Sequence, residues 1–165
     1  MWIRDWCLNE ELGDWAIVAP TFADARNVCM EGPSGLLEAL DGVVDRRKDW
    51  NRSFGELWLP NGSRVFCDGA DDGALRIQGK NLRGAWADEV GLWRSWDLAW
   101  NESIAFAVRI DPGLVVATGT PKMGHQLVGA LIDDPTVAKT HLRTLDNAAN
   151  LHPASLAALI KKWGD

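Results

Sequence analysis

Two unbroken apolar runs constrain this chain more than any other feature: Trp15-Ala16-Ile17-Val18-Ala19 and Leu114-Val115-Val116-Ala117. Both are too short for a typical helix. Both stop at turn chemistry, Pro20 in one case and Thr118-Gly119-Thr120-Pro121 in the other. A strand with no polar alternation has no face for water, so each run is read as a buried parallel strand covered on both sides. A third segment, Gly84-Ala85-Trp86-Ala87, has the same character and ends in two acids, Asp88-Glu89.

The segments between these strands alternate in kind. Residues 2–12 set Trp2, Trp6, Ile3 and Cys7 along one helical face. Thr21 followed by Asp24 has the spacing of a capping box, opening a helix that runs to Glu31 and is stopped by Gly32-Pro33. Ser34–Leu40 reads as a second short helix with Ser34 as its cap, and residues 42–52, polar and basic, as a loop. Glu56–Leu59 and Arg64–Cys67 flank Pro60-Asn61-Gly62-Ser63, and Asn-Gly between apolar runs marks a hairpin. Asp68 to Gly73 is rich in turn residues. Trp93, Trp96 and Trp100, continued by Ile104 and Val108, predict a helix with an aromatic stripe, closed by Asp111-Pro112-Gly113. A helix is expected over 125–133, a strand over 137–142, a loop over 145–152, and a last helix with Pro153 at its start and Lys161 and Lys162 in its last turn. This order places the chain in the α/β class: a parallel sheet with helices on both faces and an antiparallel hairpin insertion.

Composition excludes several functions. The net charge of −6 argues against simple electrostatic coating of nucleic acid, although a local patch or a ring can still touch DNA. No apolar run approaches the roughly 20 residues of a membrane-spanning helix, and Asp5, Glu10, Glu11 and Asp14 are wrong for a secretory leader. The three cysteines (Cys7, Cys29, Cys67) are scattered, with no CxxC pair, and His125, His141 and His152 lack ligand spacing. The cysteines are read as reduced thiols of a cytosolic protein.

Chemistry concentrates at the strand ends. In open α/β sheets, ligands sit at the carboxyl ends of the strands. Asp88 there suits Mg²⁺ and Glu89 suits the polarisation of an attacking water, although a strand followed by two acids is also the composition of a solvated turn. The hydroxyls after Ala117 either sense a phosphate or cap the next turn. Trp93, Trp96 and Trp100 read as core packing rather than a stacking platform. Asp71-Asp72 and Asp133-Asp134 read as solvated turns rather than metal sites, Arg46-Arg47-Lys48 with Arg52 as a solvated loop, and His125 as a helix-start residue.

Taken together, the motifs resemble a known family. Gly84-Ala85-Trp86-Ala87-Asp88-Glu89 is similar to the Walker B segment of phage terminase large subunits, and Ala117-Thr118-Gly119-Thr120-Pro121 to their ATPase-coupling motif. Val18-Ala19-Pro20-Thr21, Glu31-Gly32-Pro33-Ser34-Gly35, Leu59-Pro60-Asn61-Gly62-Ser63, Arg76-Ile77-Gln78-Gly79 and Asp146-Asn147-Ala148-Ala149-Asn150-Leu151 resemble further family segments in the same order. The resemblance spans nearly the whole chain and looks closest to terminases of tailed phages that infect actinobacteria. It implies a P-loop NTPase-type fold of the ASCE class. It also implies an ATP-driven motor that packages double-stranded DNA into a procapsid in the host cytoplasm. The motor's partners are other large subunits in a ring, the portal and the small terminase subunit, with no membrane. By position, Asp88 is the Mg²⁺-associated acid and Glu89 the catalytic base, and Thr118, Gly119 and Thr120 couple ATP hydrolysis to motion. Arg76 or Arg83 is the arginine acting on a neighbouring subunit's nucleotide.

One element of the family is not found in the sequence. No G-x-x-x-x-G-K-[ST] precedes Trp15. Gly73-Ala74-Leu75-Arg76-Ile77-Gln78-Gly79-Lys80-Asn81 is one residue too long, has Asn81 in place of the hydroxyl, and leaves no room for a helix before Gly84. The expected division is therefore residues 1–14 as the back half of the helix after the P-loop, 15–145 as a partial ATPase core lacking the P-loop strand, and 146–165 as the exit toward a nuclease domain. Binding of ATP and Mg²⁺ is expected only when a P-loop-bearing segment is supplied, and the chain alone is expected to be inactive and marginally stable.

Overall fold

Parallel pairing on both sides of Asp14–Ala19 organises the molecule. The computed structural model describes residues 2–9, 12–111, 113–122 and 124–163. They form two units, residues 1–129 and 130–165. In the first unit, α1 (Trp2–Asn9) leads into β1 (Asp14–Ala19). Next comes α2 (Phe22–Asp24), which continues in π-helical geometry over Ala25–Met30, and then α3 (Leu36–Ala39). Three strands follow, β2 (Trp50–Asn51), β3 (Glu56–Trp58) and β4 (Arg64–Gly69), then β5 (Leu82–Ala87). A second π-helical segment, Leu98–Ile104, runs into α4 (Ala105–Ala107), and β6 (Leu114–Ala117) completes the sheet.

The six strands lie in the order β2-β3-β4-β1-β5-β6. β4, β1, β5 and β6 are mutually parallel, while β2 and β3 pair antiparallel at one end. Val18 lies opposite both Asp68 of β4 and Ala87 of β5, so the strand ends carrying Asp68 and Asp88 flank the same residue.

Period-two alternation divides the core. Trp15, Ile17 and Ala19 join Val65 and Cys67 on one face, covered by Ile3 of α1 and by Ala25, Cys29, Met30, Leu36 and Leu37. The side chains of Trp2, Trp6 and Cys7 lie outside the described residues. Alternating with this set, Ala16, Val18, Phe66, Ala85 and Ala87 are also buried, as are Ala99, Ile104 and Ala107 of the later helix. Fully burying Trp15 or Ile17 contributes on the order of 1.5–3 kcal/mol each.

The capping box forms as expected, with the Asp24 amide donating to Thr21 Oγ1 at 3.1 Å. The hairpin also forms, but its second arm does more than return the chain: β4 is a central parallel strand beside β1. Several expectations are corrected. Gly35, not Ser34, caps α3, without a side-chain hydrogen bond. Most of the loop expected over 145–152 is a 3₁₀ helix. Within 42–52, Trp50–Asn51 form a short strand because β3 offers them a partner. Residues 137–142 carry no strand: among the described residues none pairs with them, and a strand cannot persist without a partner for its backbone groups. The aromatic helix starts later than its stripe implies. Asp71 accepts the Arg94 amide at 2.9 Å and Ser95 donates to the Asp71 carbonyl, tying down the segment ahead of the helix. Trp93 thus precedes the helix, 2% exposed, its ring 6.4 Å from that of Trp100.

α5 (Gln126–Asp133) begins in the first unit, with Leu127 and Val128 buried. In the second unit, Asp134 closes a turn by accepting from Thr136, a 3₁₀ helix covers Thr144–Asn150, and α6 (Pro153–Trp163) ends with Lys161 and Lys162 in its last turn. Among the described residues no helix is long and apolar enough to cross a membrane.

Candidate functional site

The carboxyl ends of β5 and β6 bring the two sequence motifs into contact. Thr118 extends β6 by one residue and donates its amide to the Ala87 carbonyl at 2.9 Å. Its hydroxyl donates to Asp88 Oδ1 at 2.7 Å. The other carboxylate oxygen, Oδ2, accepts the Cys29 thiol at 3.3 Å. The backbone of Asp88 is fixed as well: its amide donates to the Val18 carbonyl at 2.7 Å, and its carbonyl accepts the Trp93 indole N–H at 2.9 Å. Asp88 is half-buried and, among the described residues, not paired with a cation. Burial, reinforced by the neighbouring Asp88 carboxylate, pushes the Cys29 thiol well up. Burial does the same to Cys67. Both are free, neutral thiols.

Glu89 follows in the left-handed region, at φ 50°. A non-glycine residue held there stores on the order of 1–3 kcal/mol of strain. The Thr118 carbonyl accepts the Val90 amide at 3.0 Å, locking the turn against β6. Gly119, at φ 151°, passes so close that a Cβ would sit 3.1 Å from the Val90 nitrogen, and a Cβ on Gly91 would sit 2.8 Å from the Thr120 carbonyl oxygen. All three residues of the 118–120 motif thus abut the turn that carries Asp88 and Glu89.

The arginines lie elsewhere. Arg76 is exposed beside the end of β4, its guanidinium 4.1 Å from the Phe22 ring centroid and donating to the Phe54 carbonyl at 3.3 Å. It lines a cavity of about 440 Å³ with Phe54, Glu56, Phe66 and Lys80. Arg83 is 6% exposed near the opposite, amino-terminal end of β5, where its stem fills the space that a side chain on Gly13 would need. Neither reaches Asp88. His125 starts α5, its Nδ1 facing the Val128 amide at 3.5 Å. The segment 73–81 holds a single 3₁₀ turn, Leu75–Ile77, and runs into β5 with no helix. Asp71 is bound to Arg94.

Sequence reasoning did not single out three members of this neighbourhood. Cys29 carries no sequence signal, because its approach to Asp88 depends on the π-helical widening of Ala25–Met30. Trp86 shares strand parity with Asp88 and donates its indole N–H to Thr118 Oγ1 at 3.0 Å. Asp68, 3% exposed, accepts the Gly69 amide at 2.8 Å and the Arg76 amide at 2.7 Å. Burial pushes its carboxyl up, against those two amides, which lower it.

Solved structures share this arrangement of strands and helices. The large terminase of a thermophilic bacteriophage, in complex with ADP, superposes with a TM-score of 0.71 over 97% of this chain and 40% of that one, at 15% identity. A second crystal form of the same terminase gives 0.71 at 17% identity. The large terminase ATPase domain of Thermus phage P74-26 gives 0.61 over 98% of this chain and 72% of that one, at 16% identity. The fold is that of a phage large-terminase ATPase domain. The chain spans about two-fifths of the length of the ADP-bound terminase. No protein-family model matches the chain, and no curated protein matches it by sequence. Within this fold, the Asp88–Thr118 contact lies at the carboxyl ends of parallel strands, where open α/β sheets take their ligands.

The donor chemistry of the site bears on Mg²⁺. Among the described residues no group of three or more His, Cys, Asp or Glu is arranged to hold a metal ion. Mg²⁺ does not require such a cage: it commonly takes one or two carboxylates and completes its shell with water and substrate phosphate. Asp88 fits that role, since the hydroxyl that binds Oδ1, unlike a backbone amide, can turn its proton elsewhere.

Proposed function

We propose that this chain is the central part of the ATPase domain of a terminase large subunit, a motor that drives double-stranded DNA into a procapsid. The observation that carries this reading is the 2.7 Å hydrogen bond from Thr118 to Asp88, which joins the acid-bearing strand end to the hydroxyl-bearing one. Asp88 would hold Mg²⁺, which neutralises phosphate charge when bound. Glu89, next along the turn, orients and deprotonates the attacking water. Thr118, Gly119 and Thr120 pass the state of that turn to β6 through the contacts described above. Arg76, exposed and at the same edge of the sheet, suits an arginine offered to a neighbouring subunit better than the buried Arg83 does. Such a residue is worth about 10³–10⁵ in rate where it acts.

Phosphate binding needs G-x-x-x-x-G-K-[ST], which these 165 residues lack. We therefore assign the P-loop and its strand to polypeptide outside this sequence, paired along the outer side of β6, where Leu114 is 42% exposed. Portal, small subunit, DNA and a ring of large subunits are the partners this role requires, at the procapsid in the host cytoplasm.

The test is ATP hydrolysis by the chain alone and mixed with a polypeptide carrying the P-loop and its strand. Hydrolysis only in the mixture, abolished by Glu89→Gln, is the expected result. No hydrolysis with both pieces folded and bound overturns it in favour of a non-enzymatic interaction module, a reading that the place of β6 as the last strand of the sheet among the described residues also supports.

A further inference from the structure

Around Thr118, the chemistry of its two neighbours decides where a single proton points. A hydroxyl has one proton and can rotate, so its direction is usually open. Here it is closed. The Trp86 indole nitrogen is donor-only and sits 3.0 Å from Oγ1. The Asp88 carboxylate is acceptor-only and sits 2.7 Å from the same atom. Oγ1 must accept from Trp86, and its proton must go to Asp88. While that holds, Thr118 has no proton to offer a phosphate oxygen.

We propose that Trp86 is a positioning residue: it fixes the direction of the Thr118 hydroxyl and tethers it while the proton changes partner. Resting on the ATPase reading above, the proposal gives Thr118 two states. In one the hydroxyl donates to Asp88. In the other, with Asp88 Oδ1 turned away, the same proton would be available to an anionic oxygen, and Oγ1 would still accept from Trp86. Trp86 is suited to the part because its ring is half-buried against the core and does not need to move. The second carboxylate oxygen is held independently by Cys29 from the π-helical segment, so Asp88 can release Thr118 without coming adrift.

The experiment follows the indole N–H resonances of the ¹⁵N-labelled full chain, with Trp86 assigned by the peak lost in Trp86→Phe. In Thr118→Val, which keeps the shape but removes the acceptor, exchange of the Trp86 indole proton with solvent should speed up about fivefold or more. In Thr118→Ser and in Asp88→Ala it should stay protected, because the tether needs only Oγ1. Unchanged exchange in Thr118→Val, or loss of protection in Asp88→Ala, overturns the proposal. A second readout uses the mixture with the P-loop polypeptide. Trp86→Phe should lower kcat about tenfold with KM for ATP nearly unchanged, and full kcat in that variant also overturns it. If the wild-type mixture hydrolyses nothing, the ATPase reading fails, while the exchange measurements still decide the tether.

Discussion

Two aspartates flank Val18 at the same edge of the sheet, one at the end of β4 and one at the end of β5, and they are used in opposite ways. Asp68 is turned in on its own chain. It is 3% exposed and accepts the amides of Gly69 and Arg76. Backbone amides cannot rotate away, so this carboxylate is consumed in building the turn after β4. Asp88 is half-buried, and its oxygens meet a hydroxyl and a thiol from other elements. Side-chain donors can leave. The difference separates an acid fixed by backbone amides and deep burial from one that is half-buried and held by side-chain donors.

The largest effect should come from the acids of the β5 turn. In the mixture with a P-loop polypeptide, Asp88→Ala and Glu89→Gln should each lower the hydrolysis rate by about 10²–10⁴, while the urea midpoint of the chain moves by no more than about 1 kcal/mol equivalent. A loss of stability comparable to the loss of rate would erase the contrast with Asp68. Asp68→Ala should do the reverse at the level of folding. It strands two amides, at about 1–3 kcal/mol each, and equilibrium unfolding should show a destabilisation of about 2–4 kcal/mol. A smaller effect comes from Glu89→Gly. Glycine removes the strain at φ 50°, so this variant should be more stable by about 1 kcal/mol yet inactive in the mixture. Equal or lower stability would mean that the turn is not strained.

The smallest effect is in pH dependence. With its folded carboxyl raised above the ordinary aspartate value, Asp68 binds its proton more tightly in the folded chain than in the unfolded one. Folding stability then falls as pH rises from the unfolded aspartate pKa, about 3.9, through the folded one, and levels off above it. Unfolding curves of wild type and Asp68→Asn across that window should differ in this slope. A wild-type stability that rises relative to the variant would reverse the assignment.

Much of the fold was legible in the sequence because its strands are local statements. Trp15–Ala19, Gly84–Ala87 and Leu114–Ala117 are apolar throughout, and Asn61-Gly62 states its hairpin outright. The place of β4 was less legible. Val65-Phe66-Cys67 reads as the return arm of that hairpin, and nothing local reveals that Asp14–Ala19, some 50 residues earlier, lies beside it. Residues 137–142 failed for the same reason in reverse, since their pattern is compatible with a strand but the partner is not present among the described residues. At the site, Asp88, Glu89 and the 118–120 motif could be named from spacing, because strand ends meet at one edge. Cys29 and Trp86 could not, because a π-turn register and an indole's direction are properties of the folded chain.

The close pass of Gly119 against the turn after β5 has a mechanical consequence. A Cβ on Gly119 would meet the Val90 nitrogen at 3.1 Å, and one on Gly91 would meet the Thr120 carbonyl oxygen at 2.8 Å. Main chain therefore bears on main chain, with no flexible side chain between them to act as a spring. Two rods joined through a compliant pad lose small displacements in the pad, whereas rods in direct contact transmit them. A shift in the turn that carries Glu89 would therefore meet the loop after β6 through main-chain contact.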